Sequence, residues 1–178
     1  MDSLENYLHS WARKVVNMAK GQLQRQRKVA SGNLLRSIDY KIEKKLEGDF
    51  TISFLSAPYG AFVDEGVSGV KKVQTFVDFG GNRRPSSFRF GSGSGVKGGL
   101  TKGLDQWVIK KGIAGRDERG RFLSRKSLKF LIARKIFTFG IESTSFYSKP
   151  LKLKLREMPE NIMDHFETEI MNTLITNK

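Results

Sequence analysis

Apolar positions in the first part of the chain recur at three- and four-residue spacing: Leu4, Leu8, Trp11, Val15, Ala19 and Leu23, with Tyr7, Ala12 and Val16 widening the stripe. That period predicts an amphipathic helix over about residues 3–27, its other face rich in Arg, Lys and Gln. The pattern then changes. Ser31 and Gly32 can start a short helical turn, after which Ile38, Tyr40 and Ile42 alternate as a strand. Gly48 and Asp49 supply a hairpin turn, and Phe50, Ile52 and Phe54 alternate as the second strand. Next comes APYGAFVDEG (57–66). Tyr59 and Phe62 are expected to pack this turn onto the hairpin, leaving Asp64 and Glu65 to project from a helix end before Gly66.

From Val67 to Gly99 no period persists, and the Gly/Ser-rich, basic run GGNRRPSSFRFGSGSGVKGG reads as a long loop or hairpin. Leu100, Leu104, Trp107 and Val108 restart a helix that ends near Gly112. Asp117 to Gly120 reads as a tight turn. Leu128, Leu131, Ile132, Lys135, Ile136 and Phe139 outline a helix over about 124–138, stopped by Gly140. STSFYSKPL is read as extended, with Pro150 beginning the next element. Leu155, Ile162, Phe166, Ile170 and Leu174 then define a C-terminal helix, with Pro159 near its first turn. The expected architecture is a single α+β domain over 1–178, a small antiparallel sheet packed by a long N-terminal helix and a C-terminal helix. A basic insertion over 67–140 holds flexible Gly/Ser-rich loops (67–99) and two helices.

Composition sharpens this picture. At 178 residues, with 38% hydrophobic and 28% charged side chains, the chain can bury one core. The net charge of +14 is unevenly spread: residues 66–140 carry 17 Lys/Arg against 4 Asp/Glu, and the flanks are near neutral. A basic middle suits a polyanion or an acidic protein surface. With no cysteine, disulfides and thiolate metal sites are excluded. His9 and His165 stand far apart, against zinc and most histidine-based catalysis. The N-terminal stretch begins with acids and has no long apolar run, so it is not read as a secretory signal. No stretch approaches the 18 or so apolar residues of a membrane span.

Few motifs suggest catalysis. Gly93 to Gly98 matches GxGxxG formally, but a dinucleotide site needs a βαβ unit around it, and Asp117 lies in a turn rather than at a strand end. Neither a phosphate loop nor a GxSxG elbow is present. Asp64 and Glu65 are adjacent, so on a helix they point about 100° apart and do not converge on one substrate atom. An acidic spot for a partner's Arg or Lys is the better functional reading, and reversing both charges is then expected to leave the monomer folded. Arg83, Arg84 and Arg89 with Phe88 and Phe90 could grip phosphates and stack on bases, or form one strand with a wet face.

Three short stretches follow one another along the chain: Ala30-Ser-Gly-Asn-Leu-Leu-Arg-Ser-Ile38, then Tyr59-Gly-Ala-Phe-Val-Asp-Glu-Gly66, then Phe146-Tyr-Ser-Lys-Pro-Leu151. In order and spacing the chain resembles the tail-completion, or head–tail joining (neck), family of tailed bacteriophages, relatives of the lambda minor tail protein Z. The resemblance covers about residues 1–66 and 141–178, and the longer, more basic middle departs from it. It implies a structural virion protein without catalysis or cofactor, made in the host cytoplasm. Such a protein forms a homo-oligomeric ring, usually sixfold, at the virion neck. Its neighbours would be the head connector or head-closure protein and the tail tube or tail terminator, with DNA in the channel.

Ring subunits need heterologous interfaces, in which one patch meets a different patch on the neighbour. The candidate interface residues are Tyr59, Phe62, Asp64, Glu65, Arg83, Arg84 and Arg89. The candidates for contact with DNA or an acidic partner are Lys71, Lys72, Lys97, Lys110, Lys111, Arg116, Arg119 and Arg121. The alternative is a non-specific nucleic-acid-binding module using residues 66–140; a metal-dependent nuclease using Asp64 and Glu65 stands third.

Overall fold

The computed structural model describes residues 3–29, 31–44, 50–92, 99–158 and 162. The fold is α+β. The predicted N-terminal helix is α1 (Ser3–Arg25), and its apolar stripe is its buried face: Leu8, Trp11, Ala12, Val15, Val16, Ala19 and Leu23 are all less than a tenth exposed. A short helix α2 (Asn33–Ser37) leads into the antiparallel hairpin β1 (Asp39–Lys44) and β2 (Phe50–Leu55). Tyr40 pairs with Phe54 and Ile42 with Ile52, so the alternating residues share one face, which packs on Trp11, Ala12 and Val15. The expected turn at Gly48 and Asp49 lies outside the described residues.

The chain continues through α3 (Gly60–Glu65) into β3 (Val67–Ser68) and a second hairpin, β4 (Thr75–Val77) with β5 (Arg83–Pro85). Two further helices, α4 (Gly99–Lys110) and α5 (Arg125–Phe139), pack on each other with an ion pair of 2.8 Å between Asp105 and Lys129. Between them, Gly120 N donates to Asp117 O at 2.9 Å, closing the tight turn read from the sequence. Ser124 caps α5 by accepting from Ser127 N at 3.2 Å. The chain returns as β6 (Gly140–Ile141), antiparallel to β3. A last helix, α6, covers residues 148–158; Ile162 is also helical.

Three expectations change. Among the described residues there are three separate two-stranded ladders instead of one small sheet. The 67–99 region is not merely loop, since β3 and the β4–β5 hairpin lie within it, while Gly93–Gly98 fall outside the described residues. Helix α6 begins at residue 148, two residues before Pro150, so STSFYSKPL is not extended: 143–145 are irregular, with Ser145 at φ 44°, 146–147 form a turn and 148–151 are helical. The remaining C-terminal helix expectation (Pro159, Phe166, Ile170, Leu174) also lies outside the described residues.

Glycine is required where β3 and β6 cross. Gly140 has φ 83°, and a Cβ there would collide with the Val67 carbonyl oxygen. Gly66 has φ 77°, and its Cβ would lie 2.6 Å from Ile141 O. The core itself joins Val16, Ala19 and Leu23 of α1 to Leu34, Ile38 and Phe146. Leu23 is almost fully buried there, so Leu23→Ala should lower stability by about 3 kcal/mol. Urea titration should show a lower midpoint at an unchanged slope.

Candidate functional site

The three sequence motifs meet in space. Ser37 Oγ accepts a hydrogen bond from Ala57 N at 2.8 Å, Leu34 and Ile38 pack with Phe146, and Val63 lies against the same cluster. At the centre of this joint is Asp64, only 8% exposed. Its Oδ1 accepts from Tyr147 N at 2.7 Å and from Ser148 N at 3.3 Å, and its Oδ2 accepts from Ser148 Oγ. A carboxylate from α3 thus caps the N-terminus of α6, where free backbone N–H groups and the helix dipole favour negative charge. Backbone bonds reinforce the joint: Thr144 N donates to Val63 O at 3.1 Å, Ser145 N to Asp64 O at 3.0 Å, and Ser143 Oγ to Asp64 O at 2.6 Å. Gln26 Nε2 reaches over from the end of α1 to Thr144 O at 2.8 Å.

This corrects the expectation for Asp64. It does not project outward, because it is buried and both carboxylate oxygens are turned inward to α6. Reversing its charge would bury a lysine ammonium against helix N–H donors, so the paired reversal at 64 and 65 is expected to destabilise the monomer rather than leave it intact. Glu65 is half-buried and accepts from Ser87 N at 3.2 Å, tying α3 to the end of the β4–β5 arm. Tyr59 and Phe62 are exposed, and Phe62 stacks on Phe88 with ring centroids 4.2 Å apart. Phe62 therefore packs on the arm, not on the first hairpin.

The cations divide among separate places. Arg83 and Arg84 lie on β5, where Arg84 pairs with Asp78. Arg89 bridges to Ser68 and donates to Val70 O at 3.4 Å, next to exposed Lys71. Lys72 faces Glu142 at 3.6 Å. Lys110 is exposed at the end of α4, and Lys111 Nζ donates to Arg27 O and Val29 O at 3.3 and 3.1 Å. Arg116 covers the Phe122 ring at 3.9 Å, Arg121 pairs with Asp117 at 3.1 Å, and exposed Arg119 sits in the turn between them. Lys97 lies outside the described residues. Several of these cations are engaged within the subunit.

Sequence reasoning missed a further basic cluster. Lys149, Lys152 and Arg156 line a hollow of about 440 Å3 between α6, Gln22 of α1 and Gln26 just beyond it. The signal was their i, i+3, i+7 spacing, hidden by the near-neutral total of residues 141–178. Tyr147 was missed too. Its hydroxyl is buried without a hydrogen-bond partner among the described residues, and burial, followed by the charges of Asp39 and Asp64, pushes its pKa well above the usual tyrosine value. Among the described residues, no three acids or histidines gather as a metal-ligand set.

No family model matches the chain, and no curated protein or solved structure is similar to it.

Two measurements probe the joint. Asp64→Ala, which strands two N–H groups and a hydroxyl, should cost about 3 kcal/mol. Asp64→Asn should cost less, and Glu65→Gln should stay within about 0.5 kcal/mol, all read from urea unfolding. The second is a pH effect on the arm. Asn82 N–H, 2.8 Å from Asp78 Oδ1, and then the Arg84 guanidinium hold Asp78 below the ordinary value of 3.8. The folded arm therefore takes up this proton less readily than the unfolded chain does. Its contribution is present above that ordinary value and lost as pH falls through the depressed one. Amide exchange at Asn82 should accelerate in that window, while amides in α1 stay protected.

Proposed function

We propose that this chain is a structural, non-catalytic subunit of a tailed-bacteriophage neck, completing the tail and joining it to the head connector as part of a ring. The observation that carries the reading is the convergence of the three ordered motifs on one joint, where Asp64 caps α6 beside Leu34, Ile38 and Phe146. Residues far apart in sequence serve a shared structural purpose there, as parts of a common scaffold would.

A second feature supports assembly. Bulky apolar side chains stand exposed along the α4–α5 arm and the turn between them: Phe122 at 66%, Phe130 at 61% and Leu131 at 49%. Exposed apolar surface of this kind marks interaction sites on soluble domains. The nucleic-acid reading draws on the same basic middle, but its cations are dispersed and partly engaged. It requires binding to random duplex DNA that falls steeply with salt.

The neck reading is tested in the phage that encodes the chain. Disrupting the gene should leave filled heads and finished tails unjoined, and cryo-electron microscopy of complemented particles should place a ring of the subunit at the head–tail junction. Joined particles lacking the protein would overturn it.

A further inference from the structure

A groove of about 740 Å3 runs between α4, α5 and the β3–β6 crossing. Its floor is apolar: Leu104 and Trp107 from α4, Ile136 and Phe139 from α5, and Ile141 from β6. This floor is incompletely covered, for Trp107, Phe139 and Ile141 are 36%, 49% and 38% exposed. Its rim is basic. Lys28 and Lys135 form no ion pair among the described residues, and Lys72 meets Glu142 only at 3.6 Å. A lysine-rimmed apolar groove calls for an amphipathic segment with acids beside its apolar stripe.

The chain carries such a segment. Residues 159–178 hold Glu160, Asp164, Glu167 and Glu169 against the single Lys178, whereas the chain as a whole is strongly basic. At 100° per residue, Ile162, Phe166, Ile170 and Leu174 fall within an arc of about 120°, with Glu167 on one flank and Glu169 on the other. Over three helical turns those apolar residues would span about 18 Å.

Geometry favours another copy's segment over the chain's own. Lys28 puts the groove beside the C-terminal end of α1, whereas Met158, near the end of α6, packs on the Trp11 cluster toward the other end. Trp11 and Arg25 are separated by roughly 20 Å of helix, so Met158, the residue from which the segment continues, lies remote from the chain's own groove. We propose that residues 159–178 of one copy seat in the α4–α5 groove of the next, apolar face down and acids against Lys28, Lys72 and Lys135. This contact rests on the ring-subunit reading, and it is heterologous, as a closed ring demands.

The absence of cysteine makes the test clean. Full-length chains carrying Leu100→Cys, at the groove mouth, or Phe166→Cys, with different affinity tags, are mixed and mildly oxidised. They should form a disulfide-linked heterodimer, and the double variant should give a ladder of dimers and larger species. Lys28→Glu with Lys135→Glu should slow the cross-link roughly tenfold, and Glu167→Lys with Glu169→Lys in the partner should restore it. A cross-link formed only within single chains would overturn the proposal. So would a rate no greater than that of Phe166→Cys against Lys41→Cys, a control on the remote hairpin. Particles with the protein at the neck but no ladder would remove this contact and keep the neck role; a ladder without the protein in particles would do the reverse.

Discussion

The structure depends on one buried carboxylate. Asp64 lies where α3 ends and α6 begins, and its three hydrogen bonds fix the direction in which α6 leaves. That direction decides what α6 can cover. Leu151 and Met158 land on the Trp11 cluster, and Trp11 Nε1 donates to Lys154 O at 3.0 Å. The same cluster holds the apolar face of the β1–β2 hairpin. Desolvating a carboxylate is costly, and here helix N–H donors and a hydroxyl offset it. A polar interaction thus sets the register of an apolar core, because packing alone is less directional than hydrogen bonding.

What the sequence made legible follows from period length. Twenty-three residues of α1 repeat their pattern often enough to be read almost to the residue, and the alternation of Tyr40, Ile42, Ile52 and Phe54 gave the hairpin. Ladders of two or three residues, such as β3–β6 and β4–β5, hold no more than about one and a half repeats of the two-residue strand period, so no periodicity could announce them. The Asp64–Glu65 pair illustrates another limit. Adjacent helical positions diverge by about 100°, so one acid can face inward while the other does not. The choice was made by Tyr147 and Ser148, more than eighty positions later. A local signal did exist: Ser148 followed by Pro150 has the chemistry of a helix start, and a helix start seeks an anion.

The cations teach a similar lesson. Counting them located a basic middle, but charge totals do not reveal which side chains are already engaged. Lys111 fastens the end of α4 to carbonyls just beyond α1, Arg116 lies on Phe122, and Arg84 and Arg121 hold aspartates. Others, such as Lys110 and Arg119, stay exposed on the same stretch of chain as the uncovered Phe122, Phe130 and Leu131. Charge and exposed apolar side chains thus share one segment, which a charge total alone does not show.

The pairing of β3 with β6 has a consequence of its own. Val67 faces Ile141 and Ser68 faces Gly140, so the polypeptide enters and leaves the basic segment through the same narrow gate. Seventy-odd residues enter and leave through two neighbouring strands, the gap between their ends no wider than a hairpin's. Glu65 with Ser87, Phe62 with Phe88 and Lys111 with the carbonyls of Arg27 and Val29 tie them back to the body. Lengthening or shortening a loop closed in this way changes its closure entropy only logarithmically. The stretches of chain between those ties can therefore vary in length while the body keeps its shape. An exchanged appendage would leave the Asp64 joint undisturbed only if it carried its own partners for Glu65, Phe62 and the carbonyls of Arg27 and Val29.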